Sequence, residues 1–155
     1  MHDRFREYVE PLHAAFETMM AMAPVTAKTL PKPVPNDCIY LFSDGDRHLY
    51  VGRTTNLRRR MRNHTAPHSG HNQAVFAFKL ARETTGRLEA SYKPEGSRAS
   101  LLAEPVFARA FSEAKVRVSA MKLRFVEERD PLRQALLEMY VAIVLQTPYN
   151  DFDTH

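Results

Sequence analysis

The spacing of apolar positions changes along the chain, and each change predicts a new element. Residues 38–43 (CIYLFS) and 48–52 (HLYVG) are short apolar runs on either side of Asp44-Gly45-Asp46, a sequence typical of a hairpin turn. We therefore predict two neighbouring antiparallel strands, with Tyr40 on the first and Tyr50 on the second.

A basic helix is predicted directly after this hairpin. In residues 56–64 (NLRRRMRNH), Leu57 and Met61 are four positions apart and share one helical face. Arg60 and His64 have the same spacing and share another face. The segment therefore predicts a helix with an apolar side for the core and a basic side that carries a histidine.

The residues before the hairpin predict a helix and a linker. Apolar residues at three- and four-residue intervals predict an amphipathic helix across residues 3–22, with a break or kink at Pro11. We expect its apolar stripe to pack on the main core, with contact to a membrane or a partner as the alternative. Residues 24–37 contain four prolines and predict a stiff, extended linker. The predicted organisation is a helical extension at 1–23, this linker, and one main domain at 38–155.

The second half of the chain predicts further helices and one strand. Two alternating runs, at 116–119 and 122–125, are separated by Ala120-Met121 and predict a third strand with a bulge or a late start. Polar residues 87–100 predict a long loop. Helices are predicted at 72–82, 105–115 and 131–146. Together these elements predict an α+β fold with a small antiparallel sheet, about three strands, flanked by helices.

Glu138 is the one charged residue between Arg133 and Asp151. The surrounding helix is apolar on nearly every side, so we expect it to be buried, and a buried carboxylate requires a compensating cation. Two alternatives stay open from these residues. The cation is either an arginine in a salt bridge or a hard metal ion such as Mg²⁺ or Mn²⁺, which prefers oxygen ligands.

Charge and cysteine content narrow the class of protein. The 155 residues contain 22 Lys and Arg against 18 Asp and Glu, an excess that favours a polyanionic partner. The single cysteine, Cys38, excludes an intramolecular disulfide and, with no signal-peptide pattern, indicates a cytoplasmic protein. Six basic residues are candidates for contacts with a nucleic-acid backbone, namely Arg53, Arg58, Arg59, Arg62, Lys122 and Arg124.

The hairpin and the basic helix resemble the GIY-YIG nuclease family. Ile39-Tyr40 and Tyr50-Val51-Gly52 stand where that family has its two name-giving triplets. Arg60 and His64 follow Gly52 at the spacing seen in homing and excision-repair members. The resemblance therefore rests on a spaced set of residues.

The resemblance extends to the end of the chain. Glu138 and Asn150 resemble the family's metal-binding glutamate and its closing asparagine. It covers residues 37–150, of which 65–115 look like an insertion and are expected to contribute to substrate recognition. Cys38 stands where the first triplet usually has glycine. We disfavour a nucleophilic role for this cysteine, because no neighbouring base in the sequence supports one.

The resemblance implies a divalent-metal-dependent endonuclease that hydrolyses phosphodiester bonds in DNA, with RNA left open as a substrate. Glu138 would hold one Mg²⁺ or Mn²⁺, and Arg60 would bind the phosphate. Tyr40 would act as general base or orient the water with the help of His64, which is expected to titrate near neutral pH. The remaining members would complete the hydrogen bonding of the site, namely Tyr50 around the nucleophile and Asn150 at its edge.

Two other classes of function remain open. A nucleic-acid-binding module with a degenerate site is one, and Cys38 is the hint for it. A protein-interaction domain that uses the N-terminal helix is the other. Restriction, repair, mobile-element and phage-defence roles are equally compatible with the sequence, as is a homodimer. His68 and His71 lie close together, but a flexible Ser/Gly/Pro loop is a poor metal site, and we favour a solvated loop.

Overall fold

Residues 1–88 and 97–153 are described in the computed structural model of the protein. The chain divides into two compact units: Met1–Arg59 and Met121–His155 form the first, and Arg60–Ala120 forms the second. None of the helices within the two described ranges is both long enough and apolar enough to span a membrane.

The first unit is built on a three-stranded antiparallel sheet. Its central strand, β1 (Cys38–Asp44), pairs with β2 (Arg47–Thr54) on one side and with β3 (Lys122–Glu127) on the other. The predicted hairpin is confirmed, and Gly45 in its turn has a φ of 60°, which glycine adopts without steric cost. Within this sheet β2 is an edge strand, so one side of its backbone is available for other partners.

Seven helices lie in the part of the chain that the structure describes, and with the sheet they confirm the predicted α+β class. They are α1 (Asp3–Val9), α2 (Leu12–Ala21), α3 (Leu57–Thr65), α4 (Val75–Thr85), α5 (Arg98–Ala103), α6 (Pro105–Ala120) and α7 (Pro131–Leu145). The predicted break at Pro11 is confirmed, because α1 and α2 are separate helices. The predicted start of α7 is also confirmed, since the Asp130 side chain accepts hydrogen bonds from the backbone N–H groups of Leu132 and Arg133.

One face of the sheet carries the core of the first unit. Ile39, Leu41 and Val51 are buried there with residues of α2 and α7. From α2 the core receives Leu12 and Met19, which are 6% and 0% exposed. The expectation that the N-terminal helical region packs on the core is confirmed for α2. The proposed boundaries at residues 23 and 37 stay predictions.

The other face of the sheet carries aromatic residues. Side chains alternate between the two faces of a strand, so Tyr40 and Phe42 point away from Ile39 and Leu41. The rings of Tyr40 and Phe42 lie 5.8 Å apart and both side chains are fully buried. This alternation separates the α2 and α7 core from the face that holds the two tyrosines.

The second unit packs α4 against α6 through phenylalanines. The ring of Phe78 on α4 lies 5.1 Å from that of Phe107 and 5.8 Å from that of Phe111, both on α6. Lys115 is buried in this unit, where its Nζ donates hydrogen bonds to the carbonyl oxygens of Pro67 and Ser69 at 2.8 and 3.0 Å. These two bonds fix the loop that follows α3.

The third strand starts late, at Lys122, which was one of the two predicted alternatives. Residues 116–119 are the last turns of α6 and not the first run of a strand. Val118 and Ser119 are buried while Val116 is exposed, which continues the helical period of α6. The alternation of charged and apolar residues in this segment was therefore a helical pattern read over too short a window. No bulge is needed before β3, because the register irregularity of the sheet lies between Phe42 and Ser43 of β1.

Two other predictions are changed by the structure. Helix α5 begins at Arg98, with the Ser97 side chain as its N-cap, so it takes the end of the loop predicted at 87–100. Residues 89–96 of that loop lie outside the described residues. Helix α7 is not buried on all sides: Leu132 and Ile143 are 63% and 68% exposed. The prediction of a fully buried helix, made from its apolar sequence, is therefore wrong for these positions.

Candidate active site

The two tyrosines of the hairpin are in contact. Tyr40 on β1 and Tyr50 on β2 have ring centroids 6.5 Å apart. Tyr40 is fully buried, and Tyr50 is 9% exposed. The sheet therefore brings both phenol groups to one location, as the sequence predicted from their places on adjacent strands.

Gly52 lies directly opposite Tyr40 in the register of β1 and β2. A Cβ atom added at Gly52 would collide with the hydroxyl and the ring of Tyr40. The absence of a side chain at this position therefore allows Tyr40 to lie flat against β2. This contact gives a physical reason for glycine as the third residue of Tyr50-Val51-Gly52.

Asn150 is bound to the backbone of the same strand. Its Oδ1 accepts a hydrogen bond from Val51 N at 2.9 Å, and its Nδ2 donates one to Val51 O at 2.8 Å. The hydroxyl of Thr147 donates to Oδ1 at 2.7 Å, and Tyr149 N donates to Leu49 O at 3.2 Å. The segment after α7 thus covers the free edge of β2 and fixes the strand between Tyr50 and Gly52.

Glu138 forms an ion pair with the residue that follows Gly52. Its Oε2 lies 3.1 Å from Nε of Arg53, and the two side chains are 21% and 49% exposed. Arg53 is therefore one cation that compensates this carboxylate, as the sequence predicted for a salt bridge. The expected burial of Glu138 is incomplete, because its side chain is 21% exposed.

The surroundings of Glu138 are compatible with a divalent metal. A carboxylate is the donor that Mg²⁺ and Mn²⁺ prefer, and this one is accessible at the surface. In residues 1–88 and 97–153 no group of three or more His, Cys, Asp or Glu side chains is placed to hold a metal. A metal at Glu138 would therefore keep mostly water and phosphate ligands, a coordination that Mg²⁺ accepts readily.

Arg60 and His64 lie one turn apart on α3 and belong to the second unit. His64 is fully buried, and its pKa is well below the ordinary histidine value because of burial and the positive charge of Arg60. The expectation that His64 titrates near neutral pH is therefore wrong. Its imidazole is therefore neutral at pH 7, because burial and the charge of Arg60 both disfavour the protonated form. Nη1 of Arg60 donates to the carbonyl oxygen of Gln73 at 3.1 Å, which fixes the direction of the guanidinium.

Part of the chain is similar to a known protein family. Residues 36–95 match the family model described as the GIY-YIG catalytic domain. The match supports a relationship of this stretch to the GIY-YIG nuclease superfamily. Four of the six predicted site residues lie inside the matched stretch, and Glu138 and Asn150 lie after it. No curated protein and no solved structure matches the chain.

Cys38 occupies the position where the GIY-YIG pattern usually has glycine. It is fully buried at the start of β1, between Thr54 of β2 and Glu127 of β3. Burial, with smaller effects from the negative charges of Asp37 and Glu127, raises its pKa to about 12. The thiol is therefore protonated and inaccessible, which argues against a nucleophilic role.

The six candidate backbone-binding residues divide into two groups. Three have partners within the first unit: Arg53 pairs with Glu138, Arg58 donates to Pro31 O at 2.8 Å, and Arg124 donates to Met22 O at 3.2 Å. The other three, Arg59, Arg62 and Lys122, are all exposed. The first group therefore also supports the fold.

Sequence reasoning missed the two contacts that define the edge strand. Arg53 was assigned to DNA binding and not to Glu138, and Thr147 was not assigned at all. Each contact joins positions far apart in the chain, so no local pattern predicts it. Gly52, within an apolar strand, was a sequence signal of close packing at this strand, because glycine in a strand often marks the close approach of another group.

Proposed function

We propose that this protein is an endonuclease that hydrolyses phosphodiester bonds in DNA and depends on Mg²⁺ or Mn²⁺. The match of residues 36–95 to the GIY-YIG catalytic domain supports the reaction class. The observation that carries the proposal is the contact of Tyr40 with Tyr50 over Gly52, on a strand that Asn150 holds from the other edge. This arrangement fixes the position of both phenol groups.

Phosphodiester hydrolysis requires a deprotonated water and compensation of charge on the phosphoryl group. In the proposal Tyr40 acts as general base or orients the attacking water, with the help of His64. Tyr50 orients the hydroxyl of Tyr40 or the water beside it. Arg60 binds the phosphate with a guanidinium whose charge is permanent.

Glu138 would hold the divalent ion, which would supply positive charge at the phosphate and at the leaving oxygen. Arg53 then has a definite role in the absence of metal, because it compensates the Glu138 carboxylate at 3.1 Å. Arg53 is about half exposed, so its side chain is free to turn toward a DNA phosphate when a metal takes the carboxylate. The ion pair is therefore compatible with both alternatives that the sequence left open.

The test is cleavage of labelled single-stranded, duplex and branched DNA and of RNA, each with and without Mg²⁺ or Mn²⁺. We expect wild-type protein to cleave at least one DNA substrate with metal, and Glu138→Ala to lose cleavage while it still binds DNA. Glu104→Ala is the matched control, because Glu104 also forms a 3.1 Å ion pair with an arginine, Arg87, on the surface of the second unit. Unchanged cleavage by Glu138→Ala would rule out its metal role.

A degenerate, DNA-binding module remains the alternative function. It predicts binding that weakens steeply with salt and no cleavage with either metal. The contact of Tyr40 with Tyr50, present beside the buried Cys38, supports the endonuclease over this alternative. The same assay separates the two functions without further variants.

A further inference from the structure

Two arginines of the second unit lie on one aromatic ring. Arg82 of α4 and Arg98 of α5 have guanidinium carbons 5.0 and 5.7 Å from the ring centroid of Phe78. Phe78 is 2% exposed and is held on its other sides by Phe107 and Phe111. The ring is thus a fixed platform for two positive charges.

Arg82 is incompletely satisfied in this position. Its Nε and Nη2 atoms are covered and have no hydrogen-bond partner in the described part of the chain. Burial, and secondarily the positive charge of Arg98, lowers the pKa of Arg82. The cation–π contact compensates only part of this cost, because an aromatic ring accepts no strong hydrogen bond from the guanidinium edge.

Another arginine of the same unit shows what a structural arrangement looks like. Arg87 lies directly after α4, and its Nη2 is 3.1 Å from a carboxylate oxygen of Glu104. The charge of this surface arginine is therefore compensated by a carboxylate. The arginine pair on Phe78 instead combines two like charges with unsatisfied N–H groups.

We propose that the Arg82 and Arg98 pair binds a phosphate group of a nucleic-acid backbone. This inference rests on the proposed function, since it assigns a second contact to the same DNA. A phosphate beside the exposed guanidinium of Arg98 would accept hydrogen bonds from it and compensate the positive charges of both arginines. Arg98 is exposed, so an anion is able to approach from its side. The second unit thereby contributes to the positioning of DNA in a sequence-independent way.

The first test measures DNA binding in EDTA, where cleavage does not interfere. We expect Arg98→Gln and the double variant Arg82→Gln/Arg98→Gln to bind about tenfold more weakly, with a salt slope reduced by about one unit. Arg109→Gln is the control, because it removes one exposed arginine from α6 of the same unit. Circular dichroism establishes that each variant is folded, and Arg98→Gln keeps the test valid if Arg82→Gln is unstable.

The second test uses inorganic phosphate and pyrophosphate as probes and needs no DNA. Both should raise the melting temperature of wild-type protein more than that of Arg98→Gln. If wild-type protein binds no DNA, the proposed function fails, and this phosphate response alone decides whether the arginine pair binds anions. A phosphate response lost in Arg98→Gln, with DNA affinity and salt slope unchanged, overturns the nucleic-acid assignment in favour of a free phosphate compound. Equal behaviour of wild type and variants in both tests overturns the proposal entirely.

Discussion

Two ion pairs on α7 have the same length but different surroundings. Arg133 near its start lies 3.1 Å from Glu128, and Glu138 in its middle lies 3.1 Å from Arg53. Glu128 also accepts a hydrogen bond from Asp130 N, and its carbonyl oxygen accepts one from Gln134 Nε2. This first pair holds the chain at the entrance of the helix. The second pair instead joins the helix to the edge strand, next to Gly52.

The difference teaches that ion-pair geometry alone does not identify a functional carboxylate. The side chain of Glu128 is 13% exposed and has local backbone partners, which is the environment of a structural residue. The side chain of Glu138 is 21% exposed and reaches a strand whose position is also fixed by Asn150. An ion pair that supports the fold is therefore distinguished from one that supports the site by the residues around it. The distance between the two charged groups does not distinguish them.

Paired substitutions at the two glutamates give the largest expected effect. Glu138→Gln should reduce cleavage by roughly 100-fold or more while the melting temperature changes little, because the residue is replaced by an uncharged one of the same shape. Glu128→Gln should lower the melting temperature and leave the cleavage rate of the folded fraction near that of wild type. Single-turnover cleavage and thermal denaturation measure the two effects. The comparison fails if both variants lose the same property.

The same comparison extends to two glycines. Gly52→Ala places a methyl group against Tyr40, and we expect a loss of about 1–3 kcal/mol in stability with a drop in cleavage of roughly tenfold or more. Gly70→Ala is the matched control, since a Cβ there meets nothing within 4 Å. Urea denaturation and cleavage rates test both. A fully active Gly52→Ala variant would show that the position of Tyr40 does not matter.

The elements predicted correctly are those that local chemistry dictates. The hairpin follows from Asp44-Gly45-Asp46 between two apolar runs, and the start of α7 follows from Asp130-Pro131. The two tyrosines could be placed side by side for the same reason, since adjacent strands of a hairpin bring their residues together. The family resemblance of this segment agreed with the match at residues 36–95.

The predictions that failed depended on packing far along the chain. The sequence does not show that His64 is fully buried, and this burial lowers the pKa of its imidazole. The partner of Glu138 could have been any of several arginines, and the backbone partner of Asn150 lies 99 residues away. The end of α6 was misplaced because a helical and a strand period are hard to distinguish over four residues.

A third comparison concerns histidines of the second unit and predicts a dependence on pH. His64 has a folded-state pKa below that of the unfolded chain, so the unfolded state binds more protons as pH falls. Stability is therefore unaffected by this group above about pH 6.5 and falls below it, by up to about 1.4 kcal/mol per pH unit. His64→Gln should flatten the fall in melting temperature between pH 6.5 and 5, and His68→Gln, at an exposed position, should not. Equal profiles for wild type and His64→Gln would contradict the burial of a neutral imidazole.

The smallest expected effect concerns the hydroxyl that supports Asn150. Thr147→Val removes the 2.7 Å hydrogen bond to Asn150 Oδ1 but leaves both bonds from Asn150 to Val51. Its loss should cost about 1 kcal/mol of stability and reduce cleavage only a few-fold, because the edge strand keeps its direct contacts. Thr18→Val is the control, since Thr18 donates to a carbonyl oxygen within α2 at 3.0 Å. If Thr147→Val lowers cleavage and Thr18→Val does not, the contacts between β2 and the segment after α7 matter for the reaction. Equal cleavage by both variants would show that Thr147 contributes only to stability.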